Sequence, residues 1–267
     1  GEGERALLAL KEAEAAVGGE DREDAAPRHY LLARAHLLLG NPGLALEEIR
    51  KALALEEESG HKAYGTPLVE GQALLQLGRY EEAMASFREA LARADAGERP
   101  HVLHEMGVAA LDHGAYPEAE EHLRALVREE GYPYLAQAYA DLAEALYRQG
   151  RYQEAEAAAR EAVARGAVAA GELVLGHVAY DLLHLEEALE HYRKAAESAE
   201  EGSREWVGAQ EMVVDTLAQL GYRFPEEMVR RGQAVLPYLH PADEWHAALT
   251  AYVERAQALL REGKRLN

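Results

Sequence analysis

Residues 77–91 read LGRYEEAMASFREAL, and this stretch decides the fold. The same outline returns as HGAYPEAEEHLRALV at residues 113–127, and again as QGRYQEAEAAAREAV at residues 149–163. In each copy a turn with glycine and tyrosine precedes a segment in which alanines and one larger position recur at helical spacing. Several copies in register, at a step of 36 residues, predict an array of structural repeats.

Each copy predicts two helices joined by a tight turn. Ala83, Phe87 and Ala90 follow one another at steps of four and three residues, so they share one face of a helix. Gly78 is expected to end the preceding helix, where a residue with positive φ is favoured. Tyr80 is expected to pack across the turn, between the two helices that the turn connects.

The first helix of each pair carries a small residue at a fixed place. Gly71, Gly107 and Gly176 occupy this place, with Ala33 and Ala143 in register. A glycine inside a helix costs about 1 kcal/mol relative to alanine, so its presence needs a reason. We expect that reason to be close approach of the second helix.

This pattern resembles that of the tetratricopeptide repeat family. It stands in the sequence as Gly71, Gly78, Tyr80, Ala83, Phe87 and Ala90, and again as Ala143, Gly150, Tyr152, Ala155, Ala159 and Ala162. The resemblance implies an all-α, right-handed superhelix of about six helix pairs plus a C-terminal capping helix. It also implies that the first helices line a concave groove. The steps between copies vary from 33 to 38 residues, whereas family repeats most often have 34.

A single repeat domain is expected over residues 1–267. The helix pairs are assigned to 26–56, 64–95, 100–130, 136–165, 169–201 and 207–236, followed by a capping helix at 241–262. Residues 3–17 align with a second helix whose own first helix is missing. Its uncovered apolar side predicts weak self-association of the protein through this end.

Composition argues against several classes of partner. The formal net charge of −20 disfavours binding to nucleic acid or to an anionic membrane surface.

The absence of cysteine excludes disulfides and thiolate metal sites. No apolar run is long enough to span a membrane, so a cytoplasmic protein is expected. The excess of arginine over lysine is typical of a bacterial thermophile or of a GC-rich genome.

Motifs for catalysis are lacking. His101 and His104 stand three residues apart, with Glu105 and Asp112 further along, but no zinc-binding helix motif is present. The sequence contains no serine nucleophile elbow, P-loop or dinucleotide fingerprint. We therefore predict a protein that is not an enzyme and that holds no metal or cofactor.

The predicted function is the binding of another protein or a peptide. The resemblance places the following first-helix side chains in the groove: Tyr30, Arg34, Gln72, Gln76, His104, Asp112, Glu144, Tyr147, Arg148, His177, Tyr180 and Asp181. An alternative for Tyr147 and Tyr180 is simple packing between neighbouring repeats. An alternative function is a ligand-sensing or regulatory domain of a larger bacterial transcription regulator or signalling protein.

Overall fold

The computed structural model describes residue 8, residues 22–129 and residues 131–266. These residues form thirteen α-helices and one short 3-10 helix, and none of them lies in a strand. The predicted class, an all-α fold of tetratricopeptide-like helix pairs with a C-terminal helix, is confirmed. The helix predicted at 3–17 lies outside the described residues except for Leu8. Of the helices described, none has both the length and the apolar character needed to cross a membrane.

Contacts divide the chain into two compact units, of which the first ends at Leu126 and the second begins at Val127. The helices of the first unit pair in sequence order: α1 (Arg22–Leu38), α2 (Pro42–Ser59), α3 (Gly65–Gln76), α4 (Tyr80–Arg93), α5 (Arg99–His113) and α6 (Tyr116–Leu126). Each pair packs α1 on α2, α3 on α4 and α5 on α6.

The second unit contains three further pairs and a terminal helix. Its helices are α7 (Leu135–Arg148), α8 (Tyr152–Arg165), α9 (Val168–Asp181), α10 (Leu185–Ser198), α11 (Arg204–Gln219), α12 (Pro225–Val235) and α13 (Glu244–Leu266), with the 3-10 helix at Leu236–Tyr238. The terminal helix α13 packs on α11 and α12, and buries Leu249, Val253 and Ala256.

The glycine turns form as predicted. Gly78, Gly114 and Gly150 have φ values of +72°, +81° and +72°, in the left-handed region where a Cβ atom is penalised. The residue after each glycine donates its backbone N–H to a carbonyl in the last turn of the first helix, as Arg79 does to Leu74 at 2.9 Å. These bonds satisfy carbonyls that the helix end would otherwise leave free.

The small residues of the first helices are required by close packing, as predicted. A Cβ added at Gly107 would lie 2.7 Å from the side chain of Leu123, and one at Gly176 would lie 2.5 Å from the ring of Tyr192. Gly71 stands in the same relation to Phe87. In each case the second residue follows the first by 16 positions, which places a large side chain of the second helix against the backbone of the first.

In the pair α7/α8, alanine stands at both of the corresponding places. Sixteen positions separate Ala143 from Ala159, and both are fully buried. A methyl group on the first helix is accommodated because the second helix carries only a methyl group there. The helices α1 and α2 show an intermediate arrangement, since Ala33 has Ile49 at the same separation and both are fully buried.

Tyr80, which was expected to pack across its own turn, makes its ring stacking and its side-chain hydrogen bond with the next helix pair. Its ring stacks on His113 of α5 with centroids 3.8 Å apart, and its hydroxyl donates to Glu118 of α6 at 2.8 Å. The turn is closed by backbone hydrogen bonds and needs no side chain. Tyr80 therefore joins its helix pair to the next pair within the first unit.

The turn between α9 and α10 departs from the glycine rule. Leu183 occupies the place of Gly150, with φ of +62°, and its side chain is 79% exposed. The turn still closes, because the N–H of His184 donates to the carbonyl of Ala179 at 2.9 Å. A leucine in this conformation is strained, and its exposed side chain offers little packing in return.

The packing at Gly107 is testable with a double-mutant cycle. Gly107→Leu should lower the free energy of unfolding by about 1–3 kcal/mol, because the new side chain meets Leu123. Leu123→Ala should lower it by about 2–5 kcal/mol by leaving a cavity. We expect the double variant to lose clearly less than the sum, as measured by urea denaturation. Val108→Leu, a change at an exposed neighbour, is the control. Strict additivity would contradict close packing as the reason for the glycine.

The strain at Leu183 predicts a stabilising substitution. Leu183→Gly should raise the free energy of unfolding by about 0.5–1 kcal/mol, because relief of the left-handed strain exceeds the added freedom of the unfolded chain. The matched change Gly150→Leu should lower it by about 1–2 kcal/mol. Both are measured by thermal and urea unfolding. A less stable Leu183→Gly protein would show instead that the leucine side chain contributes to packing.

Candidate functional site

In five of the six first helices, three positions form an accessible face. They lie one, four and five residues after the small residue that contacts the second helix. Side chains at separations of three and four residues share one face of a helix. They are exposed or half-buried in α1, α3, α5, α7 and α9, whereas the small residue is fully buried. We call these three places the face positions.

In the first unit, face positions of α1 and α3 line a cleft of about 440 Å³. The residues that line it are Arg34, Leu37, Leu38, Gln72, Leu75 and Gln76. Three of them were predicted from the sequence as groove residues. The cleft combines leucine side chains with the polar groups of one arginine and two glutamines.

Polar contacts fix part of this cleft. The guanidinium of Arg34 lies 5.7 Å from the centroid of the Tyr30 ring, and among the described residues it forms no ion pair. Gln72 donates from Nε2 to Glu105 of α5 at 3.1 Å. Tyr30 therefore lies beside the cleft without lining it. His104, which is half-buried, and the exposed Asp112 lie on α5 and are not part of the lining.

In the second unit, rings and carboxylates gather into what we call the tyrosine–aspartate cluster. Its members are Tyr147, Tyr152, His177, Tyr180, Asp181, Tyr192 and Asp215. The ring of Tyr147 stacks on His177 with centroids 5.4 Å apart and lies 6.0 Å from Tyr152. The ring of Tyr192 contacts both His177 and Tyr180, at 5.5 and 6.5 Å.

The two aspartates accept hydrogen bonds from tyrosine hydroxyls. Tyr152 donates to Asp181 at 3.0 Å, and Tyr180 donates to Asp215 at 2.5 Å. Burial, followed by the charge of Asp181 and a hydrogen bond to it, raises the pKa of Tyr147 above its ordinary value. Burial and the hydrogen bond to Asp215 raise the pKa of Tyr180 in the same way. These phenols therefore stay protonated and act as donors at neutral pH.

Two buried polar atoms of the cluster have no hydrogen-bond partner among the residues that the structure describes. They are Nδ1 of His177 and the hydroxyl of Tyr192, whose side chain is fully buried. Burial lowers the pKa of His177 below 6.5, so its ring is neutral at pH 7. The cluster thus has spare capacity to accept hydrogen bonds.

The structure brings six predicted residues of α7 and α9 to the same part of the second unit. Tyr147, His177, Tyr180 and Asp181 belong to the cluster. Glu144 and Arg148 pair with each other at 2.6 Å, and both influence the pKa of His177 through their charges. The sequence did not predict which of these residues would touch.

In the first helices, sequence reasoning missed Leu37, Leu38, Leu75 and Asp215, although a signal was present for the leucines. Leu37 and Leu75 each lie four residues after the small residue of their helix. Tyr147 and Tyr180, which were predicted, have the same spacing from the small residue in α7 and α9. Asp215 follows Val214 as His177 follows Gly176. Counting from the small residue in α1 and α3 would have found the leucines, whereas α11 has Val214 at that place and a weaker register.

Solved structures with the same fold include the following proteins. PilF of Pseudomonas aeruginosa has a TM-score of 0.66 at 16% identity, covering 87% of this chain and 99% of that one. A chain of the APC/C hetero-tetramer Cut9–Hcn1 has a TM-score of 0.68 at 14% identity, covering 96% of this chain and 46% of that one. RapI in its apo form has a TM-score of 0.72 at 12% identity, covering 98% and 82%. These identities establish similarity of fold alone.

No curated protein sequence matches the chain significantly. Family models do match, at residues 26–51, 69–96 and 104–170, and all three are described as tetratricopeptide repeat. The matches fall on the helices that carry the small residues, the glycine turns and the buried alanines. This chain belongs to the tetratricopeptide repeat family.

Proposed function

We propose that the protein is a non-catalytic scaffold that recognises a segment of a partner protein with the face positions of its first helices. The observation that carries the proposal is that the same positions supply both the cleft of the first unit and most of the cluster of the second. The face positions take no part in the contact between the small residue and the second helix. Their side chains are therefore not needed to hold the pair together, and their exposed surface can contact a partner.

The tyrosine–aspartate cluster has the composition of a binding centre. Tyr147 and Tyr180 are half-buried, so each ring is held by neighbours and still presents surface. Aromatic side chains in such settings supply much of the energy of protein interfaces, because they offer a large rigid area at low entropic cost. The same fold occurs in a chain of the hetero-tetramer Cut9–Hcn1, which supports a protein as the partner.

The cleft of the first unit suits a different part of the partner. Leu37, Leu38 and Leu75 offer apolar surface, while the two glutamines and Arg34 offer donors at its border. Sites that combine an apolar floor with a few polar groups favour an apolar side chain flanked by main-chain carbonyls. We propose that this cleft takes an apolar side chain of the partner.

Substitution of two cluster tyrosines tests the proposed function. The partner is first identified by capture from the native organism's lysate and is then purified. The double change Tyr147→Ala with Tyr180→Ala should weaken its binding at least ~10-fold, because two aromatic anchors are lost. Binding is measured by calorimetry well below the melting temperature of every variant, so that only folded protein is compared.

Two controls accompany this test. Tyr134→Ala removes a 64% exposed tyrosine outside the cluster, and Glu254→Ala removes an exposed charge from α13. Both should leave the affinity unchanged. Full affinity of the double variant would contradict the proposal. So would equal weakening by Tyr134→Ala, because it would show that aromatic surface in general is responsible.

A further inference from the structure

The tyrosine–aspartate cluster contains two carboxylates and lacks a cation of its own. Asp181 is exposed and Asp215 is only 4% exposed, yet each accepts hydrogen bonds from neutral tyrosine hydroxyls. Among the described residues, no lysine or arginine forms an ion pair with either aspartate. A buried carboxylate such as that of Asp215 is usually paired with a cation, whereas the exposed Asp181 is solvated by water. The cluster therefore has an uncompensated negative charge.

The atoms without a partner among the described residues give a second, independent indication of a missing hydrogen-bond partner. The hydroxyl of Tyr192 is fully buried, and its pKa is raised first by this burial and then by neighbouring groups that include Asp181 and Asp215. His177 Nδ1 is likewise without a partner. Buried polar atoms normally have a hydrogen-bond partner, and both of these atoms are able to accept one.

The rings of the cluster add to its attraction for a positive charge. The face of a tyrosine ring is electronegative, and a cation within about 6 Å of it is stabilised. Tyr147 and Tyr152 are half-buried, so part of each ring is accessible beside the exposed Asp181. The neighbouring Arg148 does not supply the cation, because it is paired with Glu144.

We propose that the tyrosine–aspartate cluster binds an arginine side chain of the partner's segment, with Asp181 as its principal contact. This inference rests on the proposed function and specifies the chemistry of its partner. A guanidinium combines a plane that stacks on tyrosine rings with five N–H donors for carboxylate and hydroxyl acceptors. The chain's net charge of −20 would attract a basic segment over a longer range.

The test uses the full chain, labelled with nitrogen-15, and a short arginine peptide that is acetylated and amidated. A glutamate peptide of equal length is the comparison. We expect saturable shifts of the amide signals of Tyr147, Tyr152, His177 and Asp181 with the arginine peptide and none with the glutamate peptide. Higher salt should weaken this binding because charges in contact with solvent are screened.

Asp181→Asn is the decisive variant, because it removes one charge from an exposed position at the end of α9. It should weaken binding of the arginine peptide about 5- to 10-fold, and Asp181→Glu should retain most of the affinity. Glu190→Gln removes the same charge from an exposed position of α10 outside the cluster and should change affinity less than about 2-fold. A melting curve for each variant verifies that it is folded.

Three outcomes would overturn the inference. They are amide shifts spread over the outer surface, equal weakening by Asp181→Asn and Glu190→Gln, and absence of binding by the arginine peptide. The proposed function is tested separately, since the tyrosine double variant is assayed with the purified partner. If that partner needs Tyr147 and Tyr180 but is indifferent to Asp181→Asn, the inference fails while the proposed function stands.

Discussion

The structure depends on one contact, between a small residue of each first helix and the side chain sixteen positions later. Gly71 with Phe87, Gly107 with Leu123 and Gly176 with Tyr192 share this contact. Because a helix needs a glycine in its interior only where another atom takes the place of Cβ, the contact explains an otherwise costly residue. Five of the six pairs carry glycine or alanine at this place.

The contact also determines which residues face outward. Once the small residue is fixed against the second helix, helical geometry places the residues one, four and five positions later on an accessible face. Those positions have no part in holding the pair together, so their chemistry is free to differ between units. The first unit has Leu37 and Leu75 where the second has Tyr147 and Tyr180. Fold and recognition are thereby encoded at separate positions of the same helix.

Local features of the fold were predictable from the sequence, and longer-range contacts were not. The turn at Gly78 depends on one residue's conformational freedom, and the pairing of Gly107 with Leu123 depends on a fixed spacing. The stacking of Tyr80 on His113 depends on how successive pairs are oriented, which periodicity does not specify. The left-handed conformation of Leu183 was also not predictable, because leucine rarely adopts it.

In the candidate site, too, local placement was predictable and long-range contacts were not. The face positions could be named individually, but the hydrogen bonds from tyrosines to Asp181 and Asp215 span 29 and 35 residues and join three helix pairs. Asp215 was missed because Val214 replaces the small residue in the last repeat and weakens the register there.

Tyr192 connects the packing of the second unit with its recognition surface. Its ring fills the space at Gly176, as Phe87 does at Gly71, so it belongs to the contact that holds α9 on α10. The same ring touches His177 and Tyr180, which are face positions of α9. A phenylalanine would fill the core equally well, and the hydroxyl has no partner within the described structure. An unsatisfied buried hydroxyl lowers stability, so the hydroxyl adds nothing to the packing, and Tyr192 influences the face positions only through the contacts of its buried ring with His177 and Tyr180.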